Sequence, residues 1–200
     1  MKRLLPMCFV ALAIPAAAEG AVFVVAESKT VASDPVLPTE TFVDVYLGIE
    51  GTGNGNLTNF TVVASLATNG ITFSEPVRTD QSDPVRTQLF PDNWINTSLA
   101  HPNSATLAYV DSFGPAIALD SANGLGLMRI PVTIPAGVTG DFVIEIKANP
   151  IGNETYLLNM FEEVAFTAVN GTLNVVPEPA TFSLIGTAGT ILALRRRRQA

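Results

Sequence analysis

Apolar and polar side chains alternate at every second position along much of this chain, the period of a strand with one buried face. In Thr41–Ile49, the residues Val43, Val45, Leu47 and Ile49 share one face, while Asp44 and Tyr46 take the other. Phe142, Ile144 and Ile146 oppose Glu145 and Lys147 in the same way. Met128, Ile130, Val132 and Ile134 repeat the pattern, as do Phe60, Val62, Ala64 and Leu66. The pattern predicts strands near 21–27, 41–50, 58–67, 70–77, 105–111, 115–119, 125–134, 140–149, 155–159 and 163–176. Turn residues separate them, and Asn69-Gly70 and Asn170-Gly171 have the chemistry of tight hairpins with positive φ.

No segment between residues 19 and 176 carries a long 3.6-residue apolar stripe. Many short strands without helices predict an all-β fold, an antiparallel β-sandwich of the cohesin-like or jelly-roll-like kind. A stretch of this length buries a two-sheet core without metal or disulfide. Pro131 lies inside the 125–134 run, so that strand is expected at an edge or with a bulge. Thr79–Asn103 is the longest irregular stretch, and such loops often serve binding.

The two ends read differently. Met1-Lys2-Arg3 precedes an apolar run from Leu4 to Ala13 and the small residues Ala16, Ala17 and Ala18. A basic start, a short apolar core and an Ala-x-Ala ending describe a secretory signal peptide over residues 1–18, with Ala16 and Ala18 before the cut and Glu19 after it. At the other end, Pro177-Glu178-Pro179 is followed by uncharged residues from Ala180 to Leu194 and by Arg195-Arg196-Arg197-Arg198. As a helix that run reaches about 22 Å, against about 30 Å of hydrocarbon, so it serves as a short transmembrane helix once the bilayer thins and the arginines snorkel. The arginines place this end in the cytoplasm and the preceding domain outside.

Pro-Glu-Pro, an apolar stretch and a terminal arginine cluster, in that order, resemble the PEP-CTERM sorting signal of Gram-negative bacteria, here over residues 177–200. The resemblance implies handling by signal peptidase and then exosortase, with transient residence in the inner membrane. The exported protein would then pass to the cell surface or the extracellular space.

Charge separates the same three parts. The chain carries a net −7, but residues 19–176 hold five basic against seventeen acidic residues, a net −12. Such a surface repels phosphate backbones and excludes nucleic acid as a partner. The single cysteine (Cys8), histidine (His101) and tryptophan (Trp94) exclude a disulfide scaffold, a zinc site and a cysteine–histidine catalytic pair. His101 stands in a polar loop with no Gly-x-Ser-x-Gly elsewhere, so it reads as a solvated side chain. Gly51–Gly55 lacks the lysine and helix of a phosphate loop.

No cofactor is required by the sequence. If the long loop holds an ion, the hard oxygens of Asp80, Asp83, Asp92 and Asn93 suit calcium, although their spacing is not that of an EF-hand. Trp94, with Phe90 and Tyr109 near it in sequence, is the candidate aromatic platform for a sugar; the competing role is a core tryptophan.

The order of strands, from Phe42–Leu47 through Asn123–Ile130 and Gly140–Ile146 to Asn170–Val175, resembles the cohesin-like sandwich, related to carbohydrate-binding modules, over residues 21–175. In that family one sheet face docks a calcium-loaded dockerin; no contact residue is carried over from it. The expectation is a non-enzymatic, structural or adhesive protein of the envelope or extracellular matrix, with an envelope protein or polysaccharide as partner. One alternative is a carbohydrate-binding module for exopolysaccharide. A second is a secreted glycan hydrolase, distinguished by two carboxylates about 5–9 Å apart in a cleft.

Overall fold

The computed structural model describes residues 20–52, 55–81, 86–96, 103–148 and 154–178. Within them the alternating runs become strands, and two sheets pack their apolar faces together. The strands are β1 (Ala21–Ala26), β2 (Lys29–Ser33), β3 (Thr39–Glu50), β4 (Asn56–Leu66), β5 (Thr72–Phe73), β6 (Trp94–Ile95) and β7 (Leu107–Ala118). They continue with β8 (Gly126–Ile134), β9 (Gly140–Ile146), β10 (Tyr156–Asn159), β11 (Glu162–Glu163), β12 (Thr167–Val169) and β13 (Gly171–Pro177). The smaller sheet runs β12-β1-β3-β8-β5. The larger runs β11-β10-β4-β9-β13-β2, with β7 on the second edge of β4 and β6 beyond it.

Val24, Val43, Val45, Leu47, Ile130 and Val132 from the small sheet meet Phe60, Val62, Ala64, Val110, Ile144 and Leu173 from the large one. Each of these twelve residues is fully buried, so removal of apolar surface from water is the main force holding the layers together.

Among the described strands, pairing is antiparallel except where the first two meet the last two. β1 runs parallel to β12 in the small sheet, and β2 runs parallel to β13 in the large one. The first and last strands thus change sheets side by side, at Glu27-Ser28 and at Asn170. There Ser28 Oγ accepts the Thr172 N–H at 2.9 Å and Asn170 Oδ1 accepts the Ile146 N–H at 3.0 Å. A Cβ on Gly171 would stand 2.5 Å from the Glu27 carbonyl oxygen, so the crossing admits only glycine.

Several expected boundaries move. Asn170-Gly171 is a change of sheet rather than a hairpin, and Gly171 lacks the positive φ a tight turn needs. Gly70 does have positive φ (129°), but β5 after it joins the small sheet instead of pairing with β4. The single strand expected over 163–176 divides into β11, β12 and β13, each with different neighbours. The two strands expected over 105–111 and 115–119 are one, β7. Its register against β4 shifts between Leu57 and Asn59, and Gly114-Pro115 sits within that irregularity. β2 and β6 were not expected.

Pro131 sits where its missing donor costs little. β8 is bordered on one side by β3 and on the other by the two-residue β5 and single bridges at Val77 and Gln88. The Pro131 carbonyl accepts the Ser74 N–H at 2.9 Å, so the absent N–H also faces that broken edge.

Candidate functional site

Among the described residues, three places outside the core hold chemistry. On the outer face of the large sheet, strand register lines up side chains in rows. Ile95, Asp111, Thr61 and Tyr156 stand side by side across β6, β7, β4 and β10. Phe113, Asn59, Leu158 and Glu163 form the next row across β7, β4, β10 and β11. Ile95 and Phe113 are 45% and 47% exposed. Thr61 is buried among its neighbours and donates to Asp111 Oδ1 at 3.2 Å. Burial pushes the Asp111 carboxyl above the ordinary carboxylate range, against the opposing bonds from Thr61 and the Ser112 backbone. Asn59 Oδ1 is buried and, among the described residues, accepts no hydrogen bond. Further along the same face, Val63 and Tyr109 are covered. Asn103 Oδ1 accepts the Tyr109 N–H, and Thr155 Oγ1 accepts the Val63 N–H. The open part of the face is therefore the Asn59 end. Beyond it, Met160 and Phe161 project at the β10–β11 turn, 73% and 99% exposed.

The second place is an open groove of about 310 Å³ between residues 75–81 and 94–96, walled by Glu75, Val77, Arg78, Gln81, Trp94 and Asn96. Arg78 ties its two limbs together. Nε and Nη2 bind the Asp80 carboxylate at 2.9 and 2.5 Å, and Nη1 donates to the Pro91 carbonyl at 3.1 Å. That pairing holds the Asp80 carboxyl below its usual range and raises Arg78.

The third is a buried cluster on the outer face of the small sheet. Arg129 forms a two-pronged ion pair with Asp44, and Arg86 Nε approaches the same carboxylate at 3.6 Å. The Phe42 ring lies 3.9 Å from the Arg129 guanidinium and 3.7 Å from Lys29 Nζ. Burial lowers the Lys29 pKa, against the attraction of Glu27 and Asp44.

The residues singled out from sequence distribute as follows. Trp94 lines the groove, packs against the core, and pairs with Ser112, whose side chain faces inward. Tyr109 is buried on the outer face, so the two aromatics share no platform. Phe90 is in the core, stacked on Phe60 at 6.2 Å. It is held there at φ 52° because Gly114 leaves room for its ring. Asp80 is occupied by Arg78, Asp92 is exposed, and Asn93 donates to the Phe113 carbonyl at 3.1 Å. Among the described residues no three His, Cys, Asp or Glu side chains gather as metal ligands. Pro177 closes β13, and Glu178 N–H donates to the Ser33 carbonyl at 3.2 Å. Asp83, His101, Ala16, Ala18, Glu19, Pro179 and Arg195–Arg198 lie outside the described residues, as do both apolar terminal segments. Among the described residues no helix is long and apolar enough to cross a membrane.

The open rows of the large sheet, the Asp44–Arg129 pair and the groove lay beyond sequence reasoning. Each depends on long-range register, as in the 85 residues separating Asp44 from Arg129.

No protein-family model matches the chain, and no curated protein matches it in sequence. Its fold, however, is that of solved cohesin modules. It is similar to the seventh type I cohesin of ScaB from Pseudobacteroides cellulosolvens, with TM-score 0.52 and 12% identity over 80% of this chain and 94% of that one. The cohesin in the OlpA–dockerin complex of Clostridium thermocellum aligns with TM-score 0.53 and 10% identity, over 78% and 99% of the two chains. A non-cellulosomal cohesin from the archaeon Archaeoglobus fulgidus aligns with TM-score 0.51 and 8% identity, over 83% and 97%. The fold is a cohesin-like β-sandwich.

Proposed function

We propose that this chain is a non-enzymatic interaction module of the envelope or extracellular matrix that holds a protein partner on the outer face of its larger sheet. The observation that carries the reading is the open end of that face. Phe113 and Ile95 stand half exposed beside Asn59, Thr61 and Asp111, an apolar centre with polar groups around it. Asp111, Glu162 and Glu163 give this end an acidic character, which favours a basic partner. Two cohesins with the same fold were solved bound to dockerins, which supports a protein as the ligand class. Asp44 and Asp80 are each gripped by an arginine and so are poor acid–base candidates.

In the same reading the chain is exported by its N-terminal signal and sorted by the PEP-CTERM route through exosortase, passing through the inner membrane. Among the described residues the last strand pair is Pro177 with Ser33, so a cut beyond Pro179 leaves every described strand of the sandwich in place. The test is retention of envelope protein by the immobilised full chain. Phe113→Asp with Ile95→Asp should abolish retention of a partner held by the wild type. Undiminished retention by the double variant would overturn the assignment of the face.

A further inference from the structure

We propose that the groove beside Trp94 binds a neutral hexopyranose unit of a glycan chain, independently of the protein-binding face. Trp94 both packs against the core and lines the groove, so its indole is fixed before any ligand arrives. Arg78, steadied by Asp80 on its own limb, reaches the Pro91 carbonyl close to the start of the other limb and ties the two together. A platform held in this way loses little freedom on binding.

The groups left over define the ligand. Among the described residues the Trp94 Nε1–H and the Gln81 side-chain amide have no hydrogen-bond partner, and Glu75 spends only Oε1, on Asn96 Nδ2. The groove is thus lined by an indole with its N–H donor unspent, one amide that donates and accepts, and a carboxylate with one oxygen free. A pyranose presents the complement: a face of C–H bonds for the electron-rich ring, and adjacent hydroxyls that each donate and accept. A volume of about 310 Å³ is near the lower bound for small-molecule sites and suits one or two sugar units. Because the groove is open, a chain can continue past it.

Charge narrows the class. Arg78 is offset by Asp80 and lies in the field of Asp92, which leaves the Glu75 carboxylate as the unbalanced charge of the walls. Uronic acids, sulfated sugars and phosphates are repelled, and neutral hexoses are not.

Trp94 is the sole tryptophan, so tryptophan fluorescence excited beyond the tyrosine band reports on this groove alone. The full chain, in a detergent without sugar, is titrated with maltohexaose, cellohexaose and mannohexaose, with polygalacturonate as the acidic control. A saturable change is expected with at least one neutral hexasaccharide, and none with polygalacturonate. By calorimetry, Trp94→Ala should weaken that binding about tenfold or more, and Trp94→Phe should retain most of it. Retention of the strand circular-dichroism signal by both variants at the assay temperature separates loss of the site from loss of the fold. Phe113→Asp should leave sugar binding intact, so this proposal and the protein-binding reading fail separately. Absence of any signal with the three hexasaccharides, undiminished binding by Trp94→Ala, or binding of polygalacturonate alone would each overturn it.

Discussion

Arg129 on β8 grips Asp44 on β3 with two parallel hydrogen bonds, Nε to Oδ1 at 2.7 Å and Nη2 to Oδ2 at 2.8 Å. Both residues point away from the core, yet they are only 1% and 3% exposed. Lys29, Phe42 and Arg86 close over them. A charge pair so placed tolerates loss of both members far better than loss of one. Asp44→Asn should therefore destabilise the domain by about 3–5 kcal/mol, because it strands a buried guanidinium. Asp44→Leu with Arg129→Met should cost much less than the sum of the two single changes. Urea denaturation of the four proteins gives the coupling directly, and additive costs would contradict the pairing.

Asp111 sets an acid-side dependence. Burial raises its carboxyl in the folded protein above the ordinary value of 3.8, so the folded state holds the proton more tightly than the unfolded chain. Stability is then greatest where Asp111 is protonated. It declines as pH rises through the ordinary value towards the raised one, and stays lower above it. Asp111→Asn keeps an acceptor for Thr61 and removes the charge. It should unfold at higher temperature than the wild type at pH 7, with the difference shrinking towards pH 3. A melting difference that does not depend on pH would contradict this assignment.

The two faces of β9 should respond differently to mutation. Phe142 and Ile144 are in the core, whereas Glu145 faces out and pairs with Lys147 at 2.7 Å near the surface. Phe142→Asp should cost more than about 4 kcal/mol, since it buries a charge without a partner. Glu145→Ala should cost less than about 1 kcal/mol. Chemical denaturation followed by circular dichroism compares them, and equal sensitivity would mean that this part of β9 is covered on both sides.

Processing at the ends is checked by intact-mass spectrometry of the protein recovered from producing cells. Loss of residues 1–18 and of the chain beyond about Pro179 is the expected result. A mature exported form that still ends in Arg195–Ala200 would leave a simple anchor in place of exosortase sorting. Replacing Pro177, Glu178 and Pro179 by alanine should trap the protein in the inner membrane.

Alternation made β3, β4, β8 and β9 legible because each buries one whole face over many residues. It gave no sign of β6, which is two residues long and exists only by pairing with β7. Period two also assigns a side chain to a face without saying what lies over it. Asp44 falls on the polar face as expected, yet it is buried under side chains from Lys29, Phe42 and Arg86. The same limit applied to Trp94 and Tyr109. Near each other in sequence, they separate because register places one against Ser112 and the other against Val63. The groove around Trp94 requires Glu75 and Asn96 to meet across 21 residues, which no local pattern records.

The central claim is that the open end of the large sheet holds a protein. Site-specific photo-crosslinking in producing cells tests it most directly, with the photoreactive residue at position 113 and, as control, at Glu50, an exposed residue of the small sheet. The account predicts one protein adduct from position 113, absent from position 50 and lost when Ile95 is also changed to Asp. An absence of protein adducts at position 113, or the same adducts from both positions, would contradict it.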